Sequence, residues 1–132
     1  MHLVGLRLRP GQDLRGELDA FAHQQSLQAG CIVTCVGSLT RAVMRFANQP
    51  HETTHEGPFE IVSLTGTLSV HGSHMHLAIA DSAGQTLGGH LLKGSLIYTT
   101  AEVVIGIVPD VSFRREYDAL TGYRELTIFP HA

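Results

Sequence analysis

The sequence has a single lysine, Lys93, beside eight arginines, and its net charge is −3 with the histidines neutral. Phosphate contacts need clustered Lys and Arg, and Arg7-Leu8-Arg9 and Arg114-Arg115 are the only local basic pairs. That balance argues against a large nucleic-acid footprint. No run approaches the roughly 20 apolar residues of a membrane helix. Arg7, Arg9 and Pro10 interrupt the N-terminal stretch before a long apolar region develops, so a secretory signal is not expected and a cytoplasmic location is. Internal repeats, linkers and low-complexity segments are missing. So are a Ser-His-Asp signature, a phosphate loop and a dinucleotide fingerprint.

Cysteine is scarce too: only Cys31 and Cys35 occur. Their β-branched surroundings, Cys-Ile-Val-Thr-Cys-Val, suit a strand. Four residues along a strand span roughly 13 Å. A disulfide needs Cα atoms within about 7 Å, so the two cannot bridge while that strand exists. They read as two small buried hydrophobes on one face. A C-x-x-x-C metal pair is the alternative.

What is present is a chain of 132 residues, 43% hydrophobic and 16% charged. This composition fits one globular domain over residues 1–132, large enough for a core. Leu3 to Leu8 alternate as a first strand, ended by Pro10-Gly11. Asp13 can cap a helix from about Leu14 to Ala29, with Gly30 as its stop. Leu14, Leu18, Phe21 and Ala22 form its apolar stripe. Cys31 to Val36 predicts a second strand, Gly37 to Thr40 a tight connection, and Arg41 to Ala47 a third strand. Asn48 to Gly57 has no apolar anchor and predicts a loop. Phe59 to Val70 predicts a long strand with a bend near Ser63 to Gly66, where the apolar parity shifts. Tyr98 to Val108 is rich in valine and isoleucine and predicts a central, doubly buried strand. Phe113 to Tyr117 and Tyr123 to Phe129 predict a hairpin around Thr121-Gly122. One helix and seven or eight strands make an α+β domain on a mostly antiparallel, curled sheet.

The chemistry gathers between His71 and His90. His74 to Ile79 suits a strand, and Asp81-Ser82-Ala83-Gly84 is a turn signal. Residues i and i+2 of a strand share a face, roughly 6.6 Å apart, so His74 and His76 can aim at one point. The turn brings a second segment back. His90 follows Gly88-Gly89, which permits close backbone approach. Three imidazoles with a fourth position open match a catalytic rather than a structural zinc site. A His-x-His pair alone suits two half-exposed strand residues equally well; the third histidine behind the turn favours a site. His71 has the opposite parity and precedes Gly72, so it is left out. The other histidines read as solvated.

With these residues in view, the chain resembles the PPC domain family, also called DUF296 or PD1-like, in its stand-alone prokaryotic form. The resemblance runs over nearly the whole chain. It is carried by Gly37-Ser38-Leu39, Gly57-Pro58-Phe59-Glu60-Ile61-Val62-Ser63-Leu64-Thr65-Gly66, His74-Met75-His76-Leu77, Gly88-Gly89-His90-Leu91 and Thr121-Gly122-Tyr123. It implies an α+β domain that assembles as a homotrimer. In plants the domain follows an AT-hook and mediates self-association and contacts with transcription factors. A Gly-Arg-Phe-Glu-Ile-Leu contact motif there corresponds to Gly57 to Val62 here, with Pro58 in place of its arginine. The Arg-Gly-Arg-Pro core of an AT-hook is missing from this sequence, so direct DNA binding is not expected. The resemblance also implies a fold similar to the acetolactate decarboxylase-like fold, whose metal sits on a His-x-His pair plus a further histidine.

Two functional expectations follow. One is a metal-binding homotrimer, a small lyase or hydrolase in outline, with zinc or another divalent transition metal on His74, His76 and His90 and a small-molecule ligand beside it. Glu60 and Arg41 are then candidates for acid/base and anion-binding duties, though either suits a salt bridge or a rim charge equally well. The other is a non-enzymatic oligomerisation or regulatory module of the type labelled DNA-binding, acting through partners.

Overall fold

The computed structural model describes residues 1–131. In order along the chain are β1 (His2–Leu8), α1 (Leu14–Gln24), β2 (Gly30–Arg45), β3 (Thr53–Leu68), β4 (His74–Ala80), β5 (Thr86–Leu91), β6 (Leu96–Ile107), β7 (Val111–Asp118) and β8 (Tyr123–Pro130). The first six strands form one sheet in the order β1-β6-β2-β3-β4-β5, and β7 and β8 form a two-stranded sheet of their own. Every strand pairing is antiparallel. Among the described residues, no helix is long and apolar enough to cross a membrane. The expected α+β class with one helix is what the chain adopts.

The sheet curls because β5 pairs with β4 on one side and with the end of β2 on the other, Met44 opposite Leu91 and Arg45 opposite His90. The inward faces of the strands meet the apolar stripe of α1. Leu14, Leu18, Leu39, Met44, Leu68, Met75, Leu77, Ile79 and Leu91 are fully buried there. Asp13 caps the helix by accepting from Gly16 N at 3.0 Å, as its position predicts.

The helix is shorter than its composition predicts. It ends at Gln24, and Ser26 takes the left-handed conformation with φ 49°. Leu27 N donates to Ala22 O at 2.8 Å and Ser26 N to His23 O at 3.1 Å, the two bonds of a Schellman motif. A serine therefore fills the role assigned to Gly30, which instead opens β2.

The expected second and third strands are one. Gly37 to Thr40 does not turn: a Cβ at Gly37 would lie 2.1 Å from Thr100 O on β6, so glycine there lets two strands cross closely. Ser38 Oγ is satisfied by Thr99 Oγ1 at 2.9 Å. The irregularity appears as register shifts around Leu39 to Arg41. The expected loop is correspondingly shorter. Thr53 to Glu56 joins β3, because the far half of β2 offers it partners from Arg41 to Met44. The bend in β3 falls at Ile61 to Ser63 against β4. β6 is central, between β1 and β2, but it is not doubly buried as expected: Ala101, Val103 and Ile105 are buried and Val104 half-buried, while Tyr98, Thr99 and Glu102 are exposed.

Candidate metal centre

β4 and β5 place the three histidines. The turn between them is held by Asp81, whose Oδ1 accepts from Ala83 N and Gln85 N, both at 2.9 Å. That closure puts His76 directly opposite His90. His74 lies two residues earlier on β4, on the same face as His76. Both glycines before His90 are needed for the approach. A Cβ at Gly88 would stand 2.6 Å from Leu77 O of β4, and one at Gly89 2.8 Å from Arg45 O of β2. Strand β5 is thus squeezed between two neighbours just where it delivers its imidazole.

Each histidine offers one ring nitrogen, and these three atoms all lie within 4.8 Å of one another. His74 Nε2 and His76 Nε2 are 3.1 Å apart. That is a hydrogen-bond distance between neutral rings. It is also close to the roughly 3.3 Å edge of a tetrahedron with Zn–N bonds of about 2.0–2.1 Å. The ring of His76 stands edge-on to His74 and to His90, at centroid distances of 4.8 and 4.7 Å. Partial burial, then the neighbouring His76, Arg115 and Arg15, hold His74 below the usual histidine value despite an opposing pull from Glu125. Partial burial, then Arg45 and the other two histidines, do the same to His90. Neutral imidazoles are what a divalent ion requires. The donor set fits such an ion: three nitrogens, no competing carboxylate in the cluster, and one side facing a cleft.

The cleft has a volume of about 660 Å³. His74 and His90 line it, together with Arg45 at the end of β2 and Arg115, Tyr123, Arg124 and Glu125 from the β7–β8 hairpin. Arg41 and Glu60 do not line it. Arg41 Nε bonds Glu56 Oε1 at 2.9 Å on an exposed stretch of sheet. Glu60 is exposed, opposite Ser38 and Ala80. His71 stays out of the cluster, in the turn before β4, with its N–H bonded to Ser69 Oγ. The residues that sequence reasoning missed are Arg45 and the hairpin arginines. Their one visible signal was the basic pair Arg114-Arg115, and nothing local says that the hairpin folds toward β4. Cys31 and Cys35 are free and half-buried.

The chain is similar to several known proteins. It is 50% identical over 132 residues to the bifunctional protein GlmU of Synechococcus sp. (strain JA-2-3B'a(2-13)), covering 100% of this chain and 21% of that protein. The chain thus spans about a fifth of the length of such relatives. A hypothetical protein of Salmonella cholerae-suis has a solved structure that superposes with a TM-score of 0.97 at 44% identity, covering 99% of this chain and 95% of that one. A metal-containing protein of Archaeoglobus fulgidus shares the fold, with a TM-score of 0.79 at 24% identity over 96% of this chain and 94% of that one. The model of the Plants and Prokaryotes Conserved (PCC) domain matches residues 1–109, the same family that the sequence motifs resemble. This chain belongs to the Plants and Prokaryotes Conserved domain family.

Proposed function

We propose that this chain is a metal-binding protein that holds one zinc, or a similar divalent ion, per subunit on His74, His76 and His90, and that it assembles as a homotrimer. The observation that carries the metal reading is the convergence of three ring nitrogens, all within 4.8 Å, from two paired strands beside a cleft. The metal-containing Archaeoglobus protein of the same fold supports it. Nickel, iron or manganese suits imidazole ligands as well. A divalent ion there supplies Lewis-acid polarisation of a carbonyl group. The protein's part is to hold the imidazoles neutral, oriented and open on one side. The trimer is supported by exposed apolar side chains on β1, β2, β3 and β6: Leu3, Val33, Val36, Val62 and Tyr98 are each about half exposed. A second copy would cover them; the number three comes from the family resemblance.

The test is elemental analysis of full-length protein purified without a His-tag, paired with melting in chelator. One ion per chain and a lower melting temperature in chelator are expected. No metal together with unchanged melting would overturn the reading.

One observation favours a second reading. Relatives carry this stretch as about a fifth of a longer bifunctional protein, which suits an appended module for assembly or regulation. Such a module acts through partners and not by gripping DNA, given the net charge of −3 and the single lysine. Submicromolar binding to an AT-rich duplex at physiological salt would contradict that last point.

A further inference from the structure

Resting on the reading of the three histidines as a metal site, we propose that the adjoining cleft takes a small molecule bearing a carboxylate or phosphate group, gripped by the guanidinium groups of Arg45 and Arg115 with Arg124 at the rim. The chain as a whole is acidic, with 12 Asp and Glu against nine Lys and Arg. Yet three of its eight arginines line this one cleft, with Glu125 the only carboxylate among the lining residues. Ion pairs within 4.0 Å among the described residues number two, Arg15 with Asp19 and Arg41 with Glu56. None of the cleft arginines is in either pair.

The two inner guanidinium groups are anchored but not consumed. Arg45 Nη1 donates to Gln49 O at 3.3 Å, and Arg115 Nη2 donates to Thr67 Oγ1 at 2.8 Å. Each bond uses one N–H of the five that a guanidinium carries. The remaining donors form planar forks that match a carboxylate or phosphate in two-point contact. Both side chains are half-buried, and partial burial holds Arg115 below its ordinary value despite an opposing pull from Glu125. A bound anion would offset that desolvation. Arg45 and Arg115 line the same cleft as His74 and His90, so an anion held between the arginines lies beside the imidazoles. A cleft of about 660 Å³ suits a small ligand. Arg115, Arg124, Tyr123 and Glu125 lie beyond residues 1–109, the part matched by the family model. The end of β2 and the C-terminal hairpin therefore share the selection of the anion.

The test is calorimetric titration of the full-length chain at low salt, with lactate and inorganic phosphate as separate probes for the two sources. Each sample is titrated with zinc added and after chelation, and its zinc content is measured alongside. Saturable binding of at least one probe is expected. Arg45→Ala and Arg115→Ala should each weaken it by about ten- to hundredfold, the loss of a charge-assisted hydrogen bond. Arg41→Ala, which removes an arginine outside the cleft, should leave it unchanged. Arg45→Lys keeps the charge, loses the fork and should bind more weakly at an unchanged melting temperature, which separates recognition from misfolding. Binding of neither probe, or binding that Arg45→Ala and Arg45→Lys fail to weaken, overturns the proposal. Zinc content of the zinc-supplied samples reports the metal reading separately: arginine-dependent binding in a chain that takes up no added zinc sustains the anion site and sinks the metal site.

Discussion

His76 and His90 face each other across β4 and β5 as direct register partners, their rings edge to face with centroids 4.7 Å apart. The pairing ties the proposed metal site to the hydrogen-bonded ladder of the sheet, so the imidazoles are pre-positioned by backbone structure.

His76→Ala should abolish stoichiometric metal binding, and His71→Ala should leave it intact. Ligand nitrogens must be deprotonated, so acid should release the ion mainly below the ordinary histidine pKa of about 6.5. Metal content after dialysis across pH 5 to 8 checks both statements.

Gly88→Ala should damage the site without touching a ligand. Its Cβ would stand 2.6 Å from Leu77 O, which forces β5 away from β4. Overpacking of this kind costs about 1–3 kcal/mol, and here it also displaces His90. Melting temperature and metal affinity should fall together. Full metal affinity in the variant would show that the close approach is not what positions His90.

Val36→Asp should disrupt the assembly. Val36 is 58% exposed on β2, and a charge placed there would be buried by a second copy. Sedimentation equilibrium should show the wild-type chain as a trimer and the variant as smaller species. A wild-type monomer at micromolar concentration would sink the proposed assembly.

Cys35 should react slowly with iodoacetamide at pH 8. Burial, reinforced by Glu102, pushes its thiol from 9.0 to about 11. The thiolate is the nucleophile, so little of it is present at that pH. A folded-state pKa above the unfolded one means that the native chain holds its proton longer. The associated stability is present below pH 9 and is lost as the pH rises toward 11. The wild-type chain should therefore lose more melting temperature than Cys35→Ala over that interval.

Local pattern was enough for much of this molecule. The His-x-His spacing put two imidazoles on one face because strand period is two, and the Asp81 to Gly84 turn brought His90 back to them. Asp13 announced the helix start, and Thr121-Gly122 the hairpin. Period and turn chemistry involve only near neighbours, so they survive in any fold that accepts them. The continuity of β2 was not legible, because Gly37-Ser38 looks like a turn until Thr100 lies against it. The end of α1 was not legible either: Ser26 took the left-handed position usually given to glycine.

The cleft was decided by tertiary structure alone. Arg45 stands 29 residues before His74 and Arg115 stands 41 after it; only the pairing of β2 with β5 and the docking of the hairpin bring them together. Arg41 and Glu60, equally polar and nearer to family-like motifs, were carried to other parts of the sheet. Periodicity says which face a side chain takes. Where two distant faces meet depends on the register of long-range pairings, and no local run of residues encodes that.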